Sequence, residues 1–173
     1  MILVAQRVAF LVTDNYEPSE LTEPWKAVTE AGAEPVLVSP KQQEVSGKEG
    51  AHTQAVDLEV AQAKAGDFDA LVLPGGTGNA DAIRLDEDAV AFTRGFFDQD
   101  KLVAAICHGA WILTDAEVLQ GRKLTSFPSL KTDLRNAGAT WVDEEVVVDG
   151  KLISSRTPAD LDAFNREVVN KLG

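Results

Sequence analysis

Short apolar runs alternate along the chain with segments whose apolar residues recur at helical spacing. The runs cover residues 7–13, 34–39, 69–73, 102–106 and 123–126. They are rich in β-branched residues and predict β-strands. Because most of them have no polar face, helices must cover both sides, which is typical of a parallel sheet. The alternation therefore predicts an α/β fold, a three-layer doubly wound sandwich with a mostly parallel sheet.

The segments between the strands predict helices and two hairpins. Helices are expected over residues 22–31, 86–98 and 128–137, directly after residue 107, and from residue 157 onward. Pro24 is expected in the first turn of its helix, where its missing N–H costs little. Residues 41–58 predict a hairpin or flap at the sheet edge, and residues 145–155 a hairpin turning at Asp149 and Gly150. Without repeats or linkers, residues 1–173 are expected to form one domain.

Composition and charge narrow the class of protein. The net charge is −12, from 28 acidic and 16 basic residues, which argues against nucleic acids or anionic membranes as main partners. The single cysteine cannot form a disulfide within the chain. The apolar N-terminus is interrupted by Gln6 and Arg7, and no apolar run approaches the roughly 18 residues of a membrane span. We therefore expect a cytoplasmic protein.

Polar and reactive residues follow three of the predicted strands, at residues 14–17, 74–81 and 107–108. In doubly wound sheets, binding sites form beyond the carboxyl ends of the strands. These three segments are therefore expected to share one site.

Cys107 is the candidate nucleophile of that site. A lone cysteine after an apolar strand is often only a small buried residue. Here Ala105 and Gly109 flank it, and this pattern of small residues is what a nucleophile elbow requires. At a helix N-terminus the dipole would lower the thiol pKa. The adjacent His108 is a candidate base, or a capping residue without a chemical role, because neighbours on a regular helix point apart.

A carboxyl and a glycine turn are the other candidates. Glu17 would stabilise a thiolate only if it is buried and protonated, whereas Asp14, Glu20 and Glu23 are expected to be solvated or to cap the helix. The glycines of the PGG sequence suit a turn whose N–H groups stabilise an oxyanion, or simply a tight turn. The same loop lacks the GK[ST] ending of a phosphate loop.

A metal site is not expected. His52 in the predicted flap has no cysteine or second histidine at ligand spacing.

Taken together, ALVLPGG, AICHG and the stretch from GRKLTSFPSL to SSRTPADL resemble the ThiJ/PfpI superfamily. The resemblance covers nearly the whole chain and is closest to the PfpI-type branch of intracellular-protease-like stress proteins. It implies a flavodoxin-like sandwich, related to class I glutamine amidotransferases, without a cofactor. It also implies Cys107 as nucleophile followed by His108, Glu17 as the carboxyl that bonds the cysteine, and Gly75 and Gly76 as oxyanion donors.

The resemblance further implies a homo-oligomer. In the PfpI-type branch, an acidic residue after the glycine turn orients the histidine across a subunit interface, and Asp81 is the matching position. The site would then need at least a dimer, with dimer or hexamer left open. Asp81 is one methylene shorter than the glutamate often found there. Phe127 replaces a frequent tyrosine, so a hydroxyl is missing.

The implied activity is that of a cysteine-dependent enzyme, in which Cys107 attacks a carbonyl, the backbone of Gly76 and His108 stabilises the oxyanion, and Glu17 or His108 transfers the proton. It would act on carbonyl compounds and glycated proteins as a glyoxalase or deglycase, or on peptides as an intracellular cysteine peptidase. Unless oligomerisation builds a chamber, a chain of 173 residues offers little surface for binding long polypeptides, which favours small carbonyls or glycated side chains. The alternative is a redox-responsive stress protein with little hydrolase activity, whose cysteine is oxidised to sulfenic and then sulfinic acid.

Overall fold

The computed structural model describes residues 4–173, so residues 1–3 of the apolar N-terminal stretch lie outside the described part. The strands are β1 Arg7–Leu11, β2 Glu34–Ser39, β3 Glu44–Ser46, β4 Thr53–Ala55, β5 Leu58–Glu59, β6 Ala70–Leu73, β7 Leu102–Ile106, β8 Lys123–Leu124, β9 Thr140–Trp141, β10 Val146–Asp149 and β11 Leu152–Ser155. The α-helices are α1 Pro18–Glu30, α2 Thr77–Ile83, α3 Glu87–Asp98, α4 Ile112–Asp115, α5 Lys131–Asn136 and α6 Leu161–Leu172. Within residues 4–173, no helix combines the length and hydrophobicity needed to cross a membrane.

Seven strands form the central sheet, in the order β10-β11-β7-β6-β1-β2-β5. Every neighbouring pair is parallel except β10 and β11. The predicted mostly parallel α/β sandwich is therefore confirmed. The predicted flap is the antiparallel hairpin of β3 and β4, and β8 pairs with β9 in a small separate sheet.

Two apolar layers enclose this sheet, because side chains alternate between its faces along each strand. In β1, Val8 and Phe10 contribute to a buried cluster that includes α1 and α6 residues. Ala9 and Leu11 contribute to the opposite cluster, which includes residues of α3, α4 and α5. All four are at most 1% exposed, so the sheet is covered on both faces as its apolar strands predicted.

The first helix begins earlier than predicted. Pro18 stands at its first position, where the fixed φ of proline suits a helix and the missing N–H has no partner to lose. Pro24, expected in the first turn, instead lies inside the helix. A proline there removes the hydrogen bond to the carbonyl four residues earlier, which belongs to Glu20. The earlier start places Glu20 in the first helical turn.

The second predicted hairpin is present, but its turn is shifted by one residue. Asp149 pairs with Leu152, so the central residues of the turn are Gly150 and Lys151. Gly150 has a φ of +60°, whereas Lys151 is not among the residues with positive φ. Glycine at the first central position with positive φ is typical of a type II′ turn rather than type I′.

Candidate active site

The three reactive segments meet at one edge of the sheet, as predicted. Strands β7, β6 and β1 are neighbours and parallel, so their carboxyl ends lie side by side. The loops that follow them bring together Cys107, the Gly75–Gly76 turn and the start of α1. One cavity is lined by Cys107, by Gly76 and by Glu20 from the start of α1, whereas Gly75 is not among its lining residues.

Asn79 connects two of these loops and was not predicted. Its side chain is 1% exposed. Oδ1 accepts a hydrogen bond from the N–H of Thr13 at 2.7 Å, and Nδ2 donates to the carbonyls of Pro74 and Gly75 at 3.2 and 3.1 Å. An asparagine in a polar loop gives no signal of this role, because the two loops are more than 60 residues apart along the chain.

Cys107 lies on a sharp strand-to-helix turn, the backbone geometry that its small neighbours predicted, and its role as the nucleophile stays a prediction. Its φ of +61° is a left-handed conformation that residues other than glycine rarely adopt. It joins β7 to a short 3₁₀ helix, Cys107–Trp111. A Cβ on Gly109 would lie 2.2 Å from the carbonyl oxygen of Leu73, so only glycine allows this close approach. The strained turn directs the sulfur toward the cavity.

The carboxyl beside the thiol belongs to Glu20, so the prediction that Glu17 bonds the cysteine is wrong. Glu20, expected to be solvated, is 0% exposed. Its Oε1 accepts a hydrogen bond from the N–H of Gly75 at 2.9 Å. Its Oε2 is buried without a hydrogen-bond partner among the described residues. The carboxyl lines the same cavity as the Cys107 thiol, and the two groups influence each other's pKa.

Glu17 lies at the mouth of the cavity instead. It is the N-cap of α1, and its carboxylate pairs with Lys48 of the flap at 3.0 Å. The start of α1 explains the difference between the two glutamates. With Pro18 at the first helical position, Glu20 is in the first turn and buried, whereas Glu17 precedes the helix. The sequence signal for this assignment was Pro18, a typical first residue of a helix.

The two glycines of the turn, Gly75 and Gly76, have different partners. The N–H of Gly75 is already donated to Glu20, so its predicted role as an oxyanion donor is wrong. The backbone N–H groups of Gly76 and His108 face the sulfur and favour its charged form. Gly76 has a φ of +92°, and a Cβ there would lie 2.5 Å from the carbonyl oxygen of Asn15.

The carboxyl and the thiol form a coupled pair. Burial and the charge of Glu17 raise the pKa of Glu20 to about 8. Burial, followed by the charge of Glu20, raises the pKa of the Cys107 thiol to about 12. The predicted low thiol pKa is therefore not found, and its largest cause, burial, acts whether or not Glu20 is ionised. At neutral pH Glu20 is largely protonated, which removes the repulsion and turns the carboxyl into a donor that can stabilise the thiolate.

His108 turns back toward the sulfur. Its Nδ1 lies 3.4 Å from Sγ of Cys107, because the elbow is not regular helix. Its Nε2 lies 3.2 Å from Oγ of Ser129, and the ring of Phe127 stacks on the imidazole at 4.7 Å. Burial and then the charge of Lys48 lower the pKa of His108, so the ring is neutral at pH 7 and can accept a proton.

Asp81 is not part of this arrangement within one chain. It lies exposed on α2, and no hydrogen bond joins it to His108 among the described residues. Its contact with the histidine of a partner subunit stays a prediction.

The site opens into a cavity of about 300 Å³. It is lined by Glu17, Glu20, Lys48, Gly76, Thr77, Cys107, His108, Phe127 and Pro158. A second cavity of about 600 Å³ shares Glu17 and Lys48 with it. In the described part of the chain, no group of three or more His, Cys, Asp or Glu residues is placed to hold a metal ion.

An elbow cysteine, a buried glutamate and a histidine at the edge of a parallel sheet define an α/β protein with a cysteine-centred site. The chain belongs to the DJ-1/PfpI family, whose model matches residues 6–171.

Relatives of the whole chain support this assignment. Deglycase PH1704 of Pyrococcus horikoshii is 46% identical over 166 residues, which cover 96% of this chain and 99% of the relative. General stress protein 18 of Bacillus subtilis is 45% identical over 166 residues, 95% of this chain and 96% of the relative.

Among solved structures, a two-domain protein from Anabaena variabilis with DJ-1/ThiJ/PfpI-like and ferritin-like domains superposes with a TM-score of 0.94 at 37% identity. The match covers 97% of this chain but 48% of the two-domain protein, so the chain spans about half of its length.

Proposed function

We propose that this protein is a cysteine-dependent enzyme of the glyoxalase or deglycase type. It would convert small 2-oxoaldehydes such as methylglyoxal to hydroxy acids and release side chains modified by them. The observation that carries the proposal is a thiol in a small cavity with a protonatable carboxyl buried beside it. A relative named as a deglycase, 46% identical to the chain, supports the same chemistry.

The first step is addition of the thiol to the aldehyde. Nδ1 of His108 takes the proton from Cys107, and Sγ bonds to the aldehyde carbon. The π electrons of the C=O bond move to oxygen. The N–H groups of Gly76 and His108 face the sulfur, and they would stabilise that oxyanion. Protonation of the oxyanion completes a hemithioacetal.

The second step moves a proton and needs no outside oxidant. A base removes the proton from the former aldehyde carbon, and the neighbouring carbonyl oxygen is protonated to give an enediol. The enediol becomes a thioester when a proton is added to the neighbouring carbon and the hydroxyl on the sulfur-bearing carbon loses its proton to form the new C=O bond. Water then cleaves the thioester to lactate and the free thiol. Glu20 is suited to shuttle this proton, because a pKa of about 8 keeps both of its forms accessible near neutral pH.

The cavity size favours small substrates over polypeptides. About 300 Å³ is at the lower end of the range for small-molecule sites. For a glycated side chain, the carbonyl-derived carbons would occupy this cavity. The amino-acid part would occupy the adjoining cavity of about 600 Å³, beyond Glu17 and Lys48.

Methylglyoxal turnover tests the proposal directly. Wild type and the Cys107→Ala variant are incubated with methylglyoxal, and lactate is measured together with release of amine from a glycated amino acid. We expect lactate from wild type alone. Equal lactate from both proteins would rule the proposal out. Lactate formation absent from both, with peroxide adding oxygen to intact wild type but not to the variant, would favour the redox alternative.

A further inference from the structure

The outer ring nitrogen of His108 has a partner within its own chain. Oγ of Ser129 lies 3.2 Å from Nε2, on the side of the ring opposite the 3.4 Å contact between Nδ1 and the Cys107 sulfur. We propose that Ser129 is the positioning residue that orients His108 for proton transfer from the thiol. The inference rests on the proposed cysteine chemistry and deepens it.

The segment that carries Ser129 is tied to the elbow. Phe127 donates its backbone N–H to the carbonyl of Cys107 at 3.2 Å, and its ring stacks on His108 with an angle of 26° between the planes. Ser129 follows two residues later, in the 3₁₀ helix Pro128–Leu130. The segment from Phe127 to Ser129 therefore contacts both the face and the outer edge of the imidazole. It is itself hydrogen-bonded to the backbone of Cys107.

The hydroxyl of Ser129 can donate or accept, and the proposed positioning role requires the tautomer in which Nε2 carries the proton. With the proton on Nε2, the ring donates to the serine oxygen, and the lone pair of Nδ1 faces the thiol. Proton transfer then breaks the S–H bond and forms the N–H bond at Nδ1. The imidazolium keeps its bond to Ser129, because Oγ accepts throughout. In the other tautomer Nδ1 carries a proton and cannot serve as the base.

This assignment differs from the expectation that an acidic residue orients the histidine. The charged or ionisable groups near the imidazole are Lys48, Glu17, Glu20 and Cys107, which line the same cavity on the thiol side. A carboxylate at Nε2 would raise the pKa of His108, whereas a neutral hydroxyl leaves the lowering by burial and Lys48 in force. A hydrogen bond to Ser129 thus predicts a lowered pKa of His108, whereas an ion pair with Asp81 of a partner subunit predicts a raised one.

Nitrogen-15 spectra of the histidines provide a test that does not depend on turnover. The chain has two histidines, so a His52→Gln background leaves His108 as the source of the signals. We expect the Nε2–H tautomer in the background protein and in Ser129→Thr, and a mixture of tautomers in Ser129→Ala. We expect Asp81→Ala to keep the background tautomer. A spectrum unchanged by Ser129→Ala, or altered by Asp81→Ala instead, would overturn the proposal.

Kinetics supply the second measurement. Loss of one neutral hydrogen bond predicts a kcat for methylglyoxal about 2- to 10-fold lower in Ser129→Ala. KM should change less than about twofold, because a positioning residue affects the proton transfer rather than substrate binding. Ser129→Thr should restore kcat. A KM effect without a kcat effect would contradict the positioning role. If Cys107→Ala also forms lactate, the proposed function fails, while the spectra still decide the role of Ser129.

Discussion

Replacing Glu20 with glutamine tests the central electrostatic feature of the site. The carboxyl is 0% exposed, and its pKa is raised from 4.5 to about 8, chiefly by burial. Between these two pH values the folded protein holds a proton that the unfolded chain has released. Folding stability therefore falls as pH rises through this window. Glutamine is neutral at every pH, so the folding stability of the variant does not fall for this reason.

The size of the effect follows from the pKa difference. Integrating over the titration, the wild type should lose about 1 kcal/mol relative to the variant by pH 5, about 3 kcal/mol by pH 7 and about 4 kcal/mol by pH 8. The Oε1 contact with Gly75 survives in glutamine. The new amide group must be accommodated beside the thiol, which offsets part of the gain by a roughly constant amount.

Urea unfolding at pH 5, 7 and 8 measures this difference, at fixed protein concentration and under reducing conditions. We expect the stability of Glu20→Gln minus that of wild type to increase steadily with pH. Glu17→Gln is the matched control. Its carboxylate forms a partly exposed ion pair with Lys48 and is the smaller cause, after burial, of the raised pKa of Glu20, so the change should be smaller than that of Glu20→Gln at every pH. A Glu20→Gln difference that does not vary with pH would refute the reasoning.

Two further substitutions test the elbow and the cavity mouth. Gly109→Ala should destabilise the protein by about 3 kcal/mol or more in thermal unfolding, since the new Cβ would lie 2.2 Å from Leu73 O. Gly66→Ala, whose nearest atom would be 3.8 Å away, should change stability by less than about 1 kcal/mol. Equal effects would contradict the packing argument. Lys48→Met should raise the pKa of His108, measured by NMR, because the Lys48 charge now lowers it. It should also slow Cys107 alkylation at a given pH, because a nearby positive charge favours the thiolate. An unchanged or lower His108 pKa would disprove this assignment of the charge effect.

The arrangement of strands could be predicted from the sequence because it depends on repeated local patterns. Apolar strands such as β7 have no solvent face, and their side chains alternate between two buried layers. The same regularity places every β-strand carboxyl end of the parallel set at one edge. The elbow at Cys107 was also predictable, because its flanking small residues are a local steric requirement.

Which of Glu17 and Glu20 lies beside the thiol could not be predicted from such local patterns. Both glutamates are in the same short segment, and a shift of four residues in the start of α1 exchanges their environments. Local patterns predict the ends of helices least well, and here the prolines at positions 18 and 24 each suit a first turn. Burial against the glycine turn then decided which carboxyl keeps a proton.

The sequence by itself determined the α/β class, the sheet edge that carries the candidate site and the cysteine proposed as its nucleophile. These follow from periodicity and from steric rules that act over a few residues. Only the tertiary structure decided that Glu20 faces the thiol, that the N–H of Gly75 is already used and that Ser129 holds His108. The contacts of Gly75 and Ser129 join residues 55 and 21 positions apart, and no local pattern encodes which side chains meet when separate loops fold together.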